Sequence, residues 1–273
     1  MADASPMMND QFGRRISYVR LSLTDRCDMR CRYCMAEKME FLPRAEILSH
    51  EEIGALARAF VARGVKRIRL TGGEPLARRG AVDVARDIGQ LLGHGLEELS
   101  LTTNASRLRE HASGLREAGI ARINVSLDTR DPDKFRHITR TGDLTRVLDG
   151  IDAARDAGFV IKINMVALKG FNDLEILPML EWCAAQGFDL SLIETMPLGT
   201  IDEDRTDPRA GRIGDAFYAA PQHAPHRGTG ALLASAGTWR AHRLHLATHG
   251  QFLRGLQPHQ GIGFGPALHV PWP

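Results

Sequence analysis

Between residues 17 and 193, short apolar runs alternate six times with longer amphipathic ones, and few architectures accept that pattern. SYVRLSLT predicts a first strand. SHEEIGALARAFVARG predicts a helix after it, with Ser49 as N-cap, Glu52 three residues on, and Gly64 at the stop. KRIRLTGG, LEELSLTTN, ARINVSLD, FVIKINMVAL and FDLSLIETM predict strands two to six. AVDVARDIGQLLG, SRLREHASGLREAG, the pair DPDKFRHI and LTRVLDGIDAARDAG, and NDLEILPMLEWCAAQG predict the helices between them. Strand–helix alternation with right-handed crossovers gives a parallel sheet with its helices outside. Six repeats suit a partial (β/α)6 barrel of the TIM type rather than a closed eight-fold one, an α/β fold whose chemistry sits at the C-terminal strand ends.

Composition narrows the function classes. Of 273 residues, 43% are hydrophobic and 25% charged, as in an ordinary globular chain with a sizeable core. A formal charge of +2 is too small to make nucleic acid the main partner. The start, MADASPMMNDQFGRR, lacks the apolar run of a secretory signal, and no window reaches the length of a membrane span. The expectation is therefore a cytoplasmic protein with neither membrane nor nucleic acid as partner. In a reducing compartment, clustered cysteines read as metal-binding or catalytic rather than as disulfides.

Such a cluster follows the first strand. In LTDRCDMRCRYCMAE, Cys27, Cys31 and Cys34 stand as C-x3-C-x2-C, and one other cysteine exists, Cys183. Structural zinc would call for a fourth Cys or His, and Cys183 in mid-helix reads instead as a small buried hydrophobe. A redox dithiol needs C-x-x-C alone and leaves Cys27 without a part. A [4Fe–4S] cluster with three protein thiolates and one open iron accounts for all three; zinc holds most of what remains.

C-x3-C-x2-C with Tyr33 before the last cysteine resembles the signature of radical S-adenosylmethionine (radical SAM) enzymes. There the amino and carboxylate groups of the cofactor chelate the fourth iron, and the fold is a partial (β/α)6 barrel. LTGGEP closes the second strand: its glycines let backbone approach a ligand, and Glu74 can accept hydrogen bonds from a cationic amino group. LTTNAS and INVSLD place further polar residues at successive strand ends. Each alone would more often be a turn or a helix cap; together they read as a site lining. Arg20, Arg69 and Lys162 lie within strands, and Arg30 within the cysteine loop. A lone basic residue in a strand usually meets solvent, but several in one barrel suit a phosphate ester.

Taken together, RISYVRLSLTDRCDMRCRYCMAE, RIRLTGGEPL, LTTNA, INVSLDT, VIKINMVALKGFND and ETMPLG…IDEDRTD resemble the GTP 3',8-cyclase family of molybdenum cofactor biosynthesis, from about Arg15 to Asp207. The resemblance implies Cys27, Cys31 and Cys34 as cluster ligands. It implies Tyr33, Gly73, Ser126 and Met196 as S-adenosylmethionine contacts, and Arg20, Arg69, Thr102 and Lys162 as GTP contacts. It also implies a radical reaction. Reductive cleavage of the cofactor yields a 5'-deoxyadenosyl radical, which takes hydrogen from the ribose C3' of GTP. The carbon radical then closes onto guanine C8. GTP and an electron donor of the flavodoxin or ferredoxin kind are the implied partners, and a homodimer is admitted. A radical enzyme with another substrate and a zinc-stabilised module without catalysis are the alternatives.

The resemblance stops after residue 207, which divides the chain into a radical SAM core, 1–207, and an irregular tail of little periodicity, 208–273. The tail has one acidic residue, no lysine, and seven of the eleven histidines. It has no cysteine, whereas the family holds a second cluster there, so one cluster is expected and the activity is expected to be impaired. A reading-frame slip shortly after Asp207 would account for the composition. Dropping one nucleotide from HRLHLATHGQFLRGLQPH permits I-G-F-I-S-P-L-T-G-N-F-C-E-G-C-N-R-I, a family-like second-cluster segment. The same shift makes DAFYAAPQHAPHRGTG family-like as well. The coding DNA decides: if codons 215 to 259 read one base over do not spell those segments, the slip is excluded. His242, His245 and His249 have the spacing of ligands on one helical face, an accident if the frame has slipped.

Overall fold

The computed structural model describes residues 7–35, 38–168, 170–194, 230–233 and 242–247. Six strands run in sequence order as neighbours in one sheet, all parallel: β1 (Tyr18–Ser22), β2 (Arg67–Thr71), β3 (Glu98–Thr103), β4 (Arg122–Ser126), β5 (Val160–Ala167) and β6 (Asp189–Glu194). Between them lie α1 (His50–Ala62), α2 (Ala81–Gly89), α3 (Leu108–Glu117), α4 (Pro132–Thr139), α5 (Leu144–Asp156) and α6 (Ile176–Gln186). This is the predicted α/β partial barrel.

Local chemistry sets the boundaries. Ser49 and Glu52 close a reciprocal capping box on α1, Glu52 N donating to Ser49 Oγ at 3.2 Å and Ser49 N to Glu52 Oε2 at 2.7 Å. Losing such a cap costs about 1 kcal/mol. Gly64, just past the helix, takes φ +92°, a left-handed turn that glycine enters without steric cost. Asp131 and Asp143 cap α4 and α5 by accepting from Lys134 N and Thr145 N.

Side-chain alternation divides the sheet into unlike faces. Val19 and Leu21, Ile68 and Leu70, Leu99 and Leu101, Ile123 and Val125, and Ile161, Ile163 and Met165 are all buried on one face. They join one apolar core with helix residues such as Ile53, Ala57, Val84, Leu115, Val147 and Met179. Each buried aliphatic side chain contributes about 1.5–3 kcal/mol, so this layer holds the fold. Cys183 is 1% exposed and belongs to it, as its mid-helix position predicted. The opposite face, turned to the barrel interior, carries Arg20, Arg69, Ser100, Thr102, Asn124, Lys162 and Ser191.

Two further strands follow, β7 (Gly230–Leu233) and β8 (His242–Ala247). Strand β8 pairs parallel to β6, and β7 pairs antiparallel to β8. Little periodicity announced them. His242 and His245 therefore run in a strand, and the helical spacing read for them is not realised; His249 lies outside the described residues. Among the described residues, no helix is long and apolar enough to cross a membrane.

Candidate functional site

The cysteine loop leaves the C-terminal end of β1 and is moored on three sides. The first mooring is the turn after β2. Gly73 N donates to Thr24 O at 2.7 Å, and Glu74 N to Arg26 O at 2.8 Å. A Cβ on Gly73 would sit 2.5 Å from Arg26 O and 2.6 Å from Asp25 O. This glycine lets the backbone of residues 25 and 26 approach closely.

The second mooring is the end of α4. Its last residues, Ile138 and Thr139, expose carbonyls that the helix cannot satisfy itself. Arg32 N and Arg30 N donate to them at 2.9 and 3.0 Å. Thr141 Oγ1 donates to Asp28 O at 2.9 Å. The third mooring is the loop after β3. The Asp28 carboxylate accepts from Asn104 Nδ2 at 2.8 Å and from Ser106 Oγ at 2.6 Å. Asn104 Nδ2 also reaches Cys27 Sγ at 3.8 Å.

Two buried carboxylates tie these loops to the barrel. Glu74 is 1% exposed; it accepts from Leu76 N and Thr103 Oγ1 on one oxygen and from Asn104 N on the other, at 2.6–3.0 Å. Burial pushes its pKa up to about 7, even against three donors that favour the ionised form. Asp128, just after β4, accepts from the Tyr33 hydroxyl at 2.5 Å and from Val166 N at 2.8 Å, and burial pushes it up to about 6. Tyr33 stands between two of the cysteines, so Asp128 carries part of the loop's placement.

Burial pushes the Cys27 thiol up to about 12 and Cys31 higher still. Cys34 is among the charges acting on both, which places the three thiols within electrostatic reach of one another. Loading with metal must therefore displace protons. Among the described residues, no three His, Cys, Asp or Glu side chains close around a single ion. Each thiolate of a cubane holds a different iron, so the sulfurs need not converge on one point. Three clustered thiols on one moored loop, with no fourth donor closing on them among the described residues, fit a cluster with three cysteine ligands.

The inner face begins beside this loop. Strand register sets Arg20 beside Arg69, Arg69 beside Ser100, Ser100 beside Arg122, Thr102 beside Asn124, and Asn124 beside Lys162. Four cations thus surround a floor of short polar side chains. Burial lowers the pKa of Lys162, with Arg69 and Arg122 adding to the effect and Asp189 opposing it. Burial likewise lowers that of Arg69. Crowded, partly desolvated cations of this kind are relieved by an anion.

The sequence-predicted residues fall into two groups. Cys27, Cys31, Cys34, Tyr33, Gly73, Glu74 and Ser126 gather at the C-terminal strand ends. Arg20, Arg69, Thr102 and Lys162 share the inner face. Arg30 turns to its own loop, donating to Met29 O and Cys27 O. Met196 lies outside the described residues. Asp28, Asn104, Asn124 and Asp128 were not singled out, although three of them sit inside the strand-end stretches already quoted. For Asn124, the available signal was a polar residue between the apolar Ile123 and Val125. A cavity of about 510 Å³ lies elsewhere, between the start of α2 and α3, lined by residues including Arg79, Arg107 and His111.

A loop of three cysteines closing the first strand of a six-stranded parallel half-barrel defines a class. The family model "Radical SAM superfamily" matches residues 21–183, and the chain belongs to that superfamily. Its members use an iron–sulfur cluster and S-adenosylmethionine. More narrowly, a GTP 3',8-cyclase of Rhizobium etli (strain CIAT 652) is 59% identical over 206 residues, 76% of this chain and 59% of that protein. A GTP 3',8-cyclase of Erythrobacter litoralis is 57% identical over 204 residues, 75% of this chain and 61% of that protein. The chain thus spans about three-fifths of the length of these relatives. Streptococcus suis SuiB, solved bound to S-adenosylmethionine, shares the fold with a TM-score of 0.59 at 17% identity, over 68% of this chain and 42% of that one.

Proposed function

We propose that this chain is the barrel portion of a GTP 3',8-cyclase, acting on GTP in the first step of molybdopterin biosynthesis. The observation that carries this reading is the adjacency of the cysteine loop and the cationic inner face on one sheet, in a chain closely similar to proteins of that name. Cys27, Cys31 and Cys34 would hold a [4Fe–4S] cluster, which, when loaded and reduced by a flavodoxin- or ferredoxin-like donor, supplies the electron for cleaving S-adenosylmethionine. Tyr33, Gly73, Glu74, Ser126 and Met196 are assigned to that cofactor. Arg20, Arg69, Thr102 and Lys162 are assigned to GTP, the cations gripping its phosphates through charge-assisted hydrogen bonds. The barrel orients the two nucleotides and keeps water from the reacting ribose.

Residues 184–273 contain no cysteine, and we infer that GTP cyclisation is impaired for want of ligands to the family's second cluster. The expected outcome of anaerobic reconstitution is a brown protein whose cluster spectrum changes when S-adenosylmethionine is added, with GTP cyclisation lost or very weak. No spectral response to the cofactor would overturn the assignment of the cysteine loop. Formation of 3',8-cyclo-7,8-dihydro-GTP in quantity would overturn the claim of impairment.

A further inference from the structure

Arg69 is the most constrained cation on the inner face. With its amide oriented by the hydrogen-bond network, Asn124 Oδ1 accepts from Arg69 Nε at 3.2 Å and from Nη1 at 3.1 Å. Asn124 is 1% exposed, so its oxygen has no water to turn to. The bond spans from β2 to β4 across β3, where the register sets Ser100 beside Arg69 and Thr102 beside Asn124. Both side chains are short and leave the span open. On the same face, the Arg69 guanidinium lies over the ring of Tyr18, 5.3 Å from its centroid.

We propose that Asn124, with the Tyr18 ring as a floor, is a positioning residue that fixes the Arg69 guanidinium for a polyphosphate. The proposal rests on the reading of the inner face as the GTP site and names what makes that site rigid. A free arginine side chain loses much of its rotamer entropy when the group closes on an anion. Here the torsions are already held by a two-point hydrogen bond and an aromatic plane. Of the five guanidinium N–H groups, two go to Asn124 and three remain for ligand oxygens. An amide suits the task better than a carboxylate. It accepts from the guanidinium yet cancels none of its charge, whereas aspartate at the same place would neutralise the cation it orients. The remaining carboxylates acting on the cationic face, Glu98 and Asp189, stand at the starts of β3 and β6.

The test is equilibrium binding of inorganic tripolyphosphate, and separately of GTP, to the full chain. Loss of one charge-assisted positioning contact predicts that Asn124→Ala weakens tripolyphosphate binding about tenfold. Asn124→Asp weakens it further and flattens the salt dependence, because one cation is cancelled. Tyr18→Leu, which leaves Asn124 in place, weakens binding about threefold through the lost cation–π floor and keeps the test open should the Asn124 variants fold poorly. The decisive readout is the double-mutant cycle: in an Arg69→Ala background, Asn124→Ala has no further effect, a coupling that general damage to the fold would not produce. Should Asn124→Ala and Tyr18→Leu bind as the unsubstituted chain does while Arg69→Ala is weak, the positioning role is overturned. An equal loss from Asn124→Ala with and without Arg69 also overturns it. Indifference of binding to Arg69→Ala, or no binding by the unsubstituted chain, overturns the reading of the inner face itself and is told apart from the other results by that.

Discussion

The cysteine-loop edge and the inner face of this barrel lie a few residues apart, yet they are built on opposite plans. At the edge, polar groups are consumed internally: Glu74 takes three donors, Asp28 takes two, Asp128 takes two, and the free carbonyls of α4 take backbone N–H groups of the cysteine loop. On the inner face, like charges lie side by side, with Asn124 and the Tyr18 ring against Arg69 and the carboxylates of Glu98 and Asp189 at the strand starts. Most hydrogen bonds of the edge are closed within the chain, with the buried Asp25 Oδ1 left over. The face holds unspent electrostatic energy that a bound anion releases. On the function proposed above, a cluster-bearing loop has to stay fixed while electrons pass, and a substrate site has to favour the loaded state over the empty one. The two plans follow from those demands.

The largest blow to the edge comes from its ligands. Replacing Cys31 by Ser is expected to abolish the cluster altogether, read as loss of brown colour and of visible absorbance after anaerobic reconstitution. Tripolyphosphate binding on the inner face should survive. If both are lost together, the two regions are not separable as described. A smaller effect follows from Gly73→Ala. The added methyl meets backbone oxygens of residues 25 and 26 rather than a yielding side chain, which predicts a loss of about 2–4 kcal/mol of stability in urea unfolding and poor cluster retention. Near-normal stability would mean that the cysteine loop is not anchored through this turn.

The smallest effect is a slope. The pKa of Glu74, about 7, is raised from its ordinary 4.5, so the folded state holds the proton more tightly than the unfolded state does. Its contribution to stability is full below pH 4.5 and is lost as pH rises through about 7. Across that window it amounts to at most about 3 kcal/mol. Glu74→Gln should remove that part of the pH dependence. At low pH it should also lower stability by about 1–3 kcal/mol, because an amide nitrogen would face one of the three donors, and the deficit should shrink as pH rises and Glu74 ionises. A variant with an unchanged slope would show that Glu74 does not titrate in this range.

The sequence made the scaffold plain because periodicity and capping are local. All six core strands and the intervening helices lie where alternation placed them, and the Ser49–Glu52 box forms as read. The three cysteines were legible from spacing alone. What stayed hidden depends on pairs far apart in the chain. Tyr33 and Asp128 are ninety-five positions apart, and Asp28 and Asn104 seventy-six. Nor could a glycine pair say that it packs against residues 24–26 of the same chain. Asn124 reads as an ordinary strand residue until the register sets it across β3 from Arg69. Short strands β7 and β8 lie in a stretch with little periodicity to announce them.

The two-faced sheet has a consequence for inheritance. Nearly all of the cohesion of the barrel lies in the layer between strands and helices, so the side chains lining the interior carry little of the weight. Arg20, Arg122 or Lys162 could be exchanged for other polar residues while the wall behind them stands. A lineage with this architecture can therefore change what it grips by altering one lining residue at a time, without passing through collapsed intermediates.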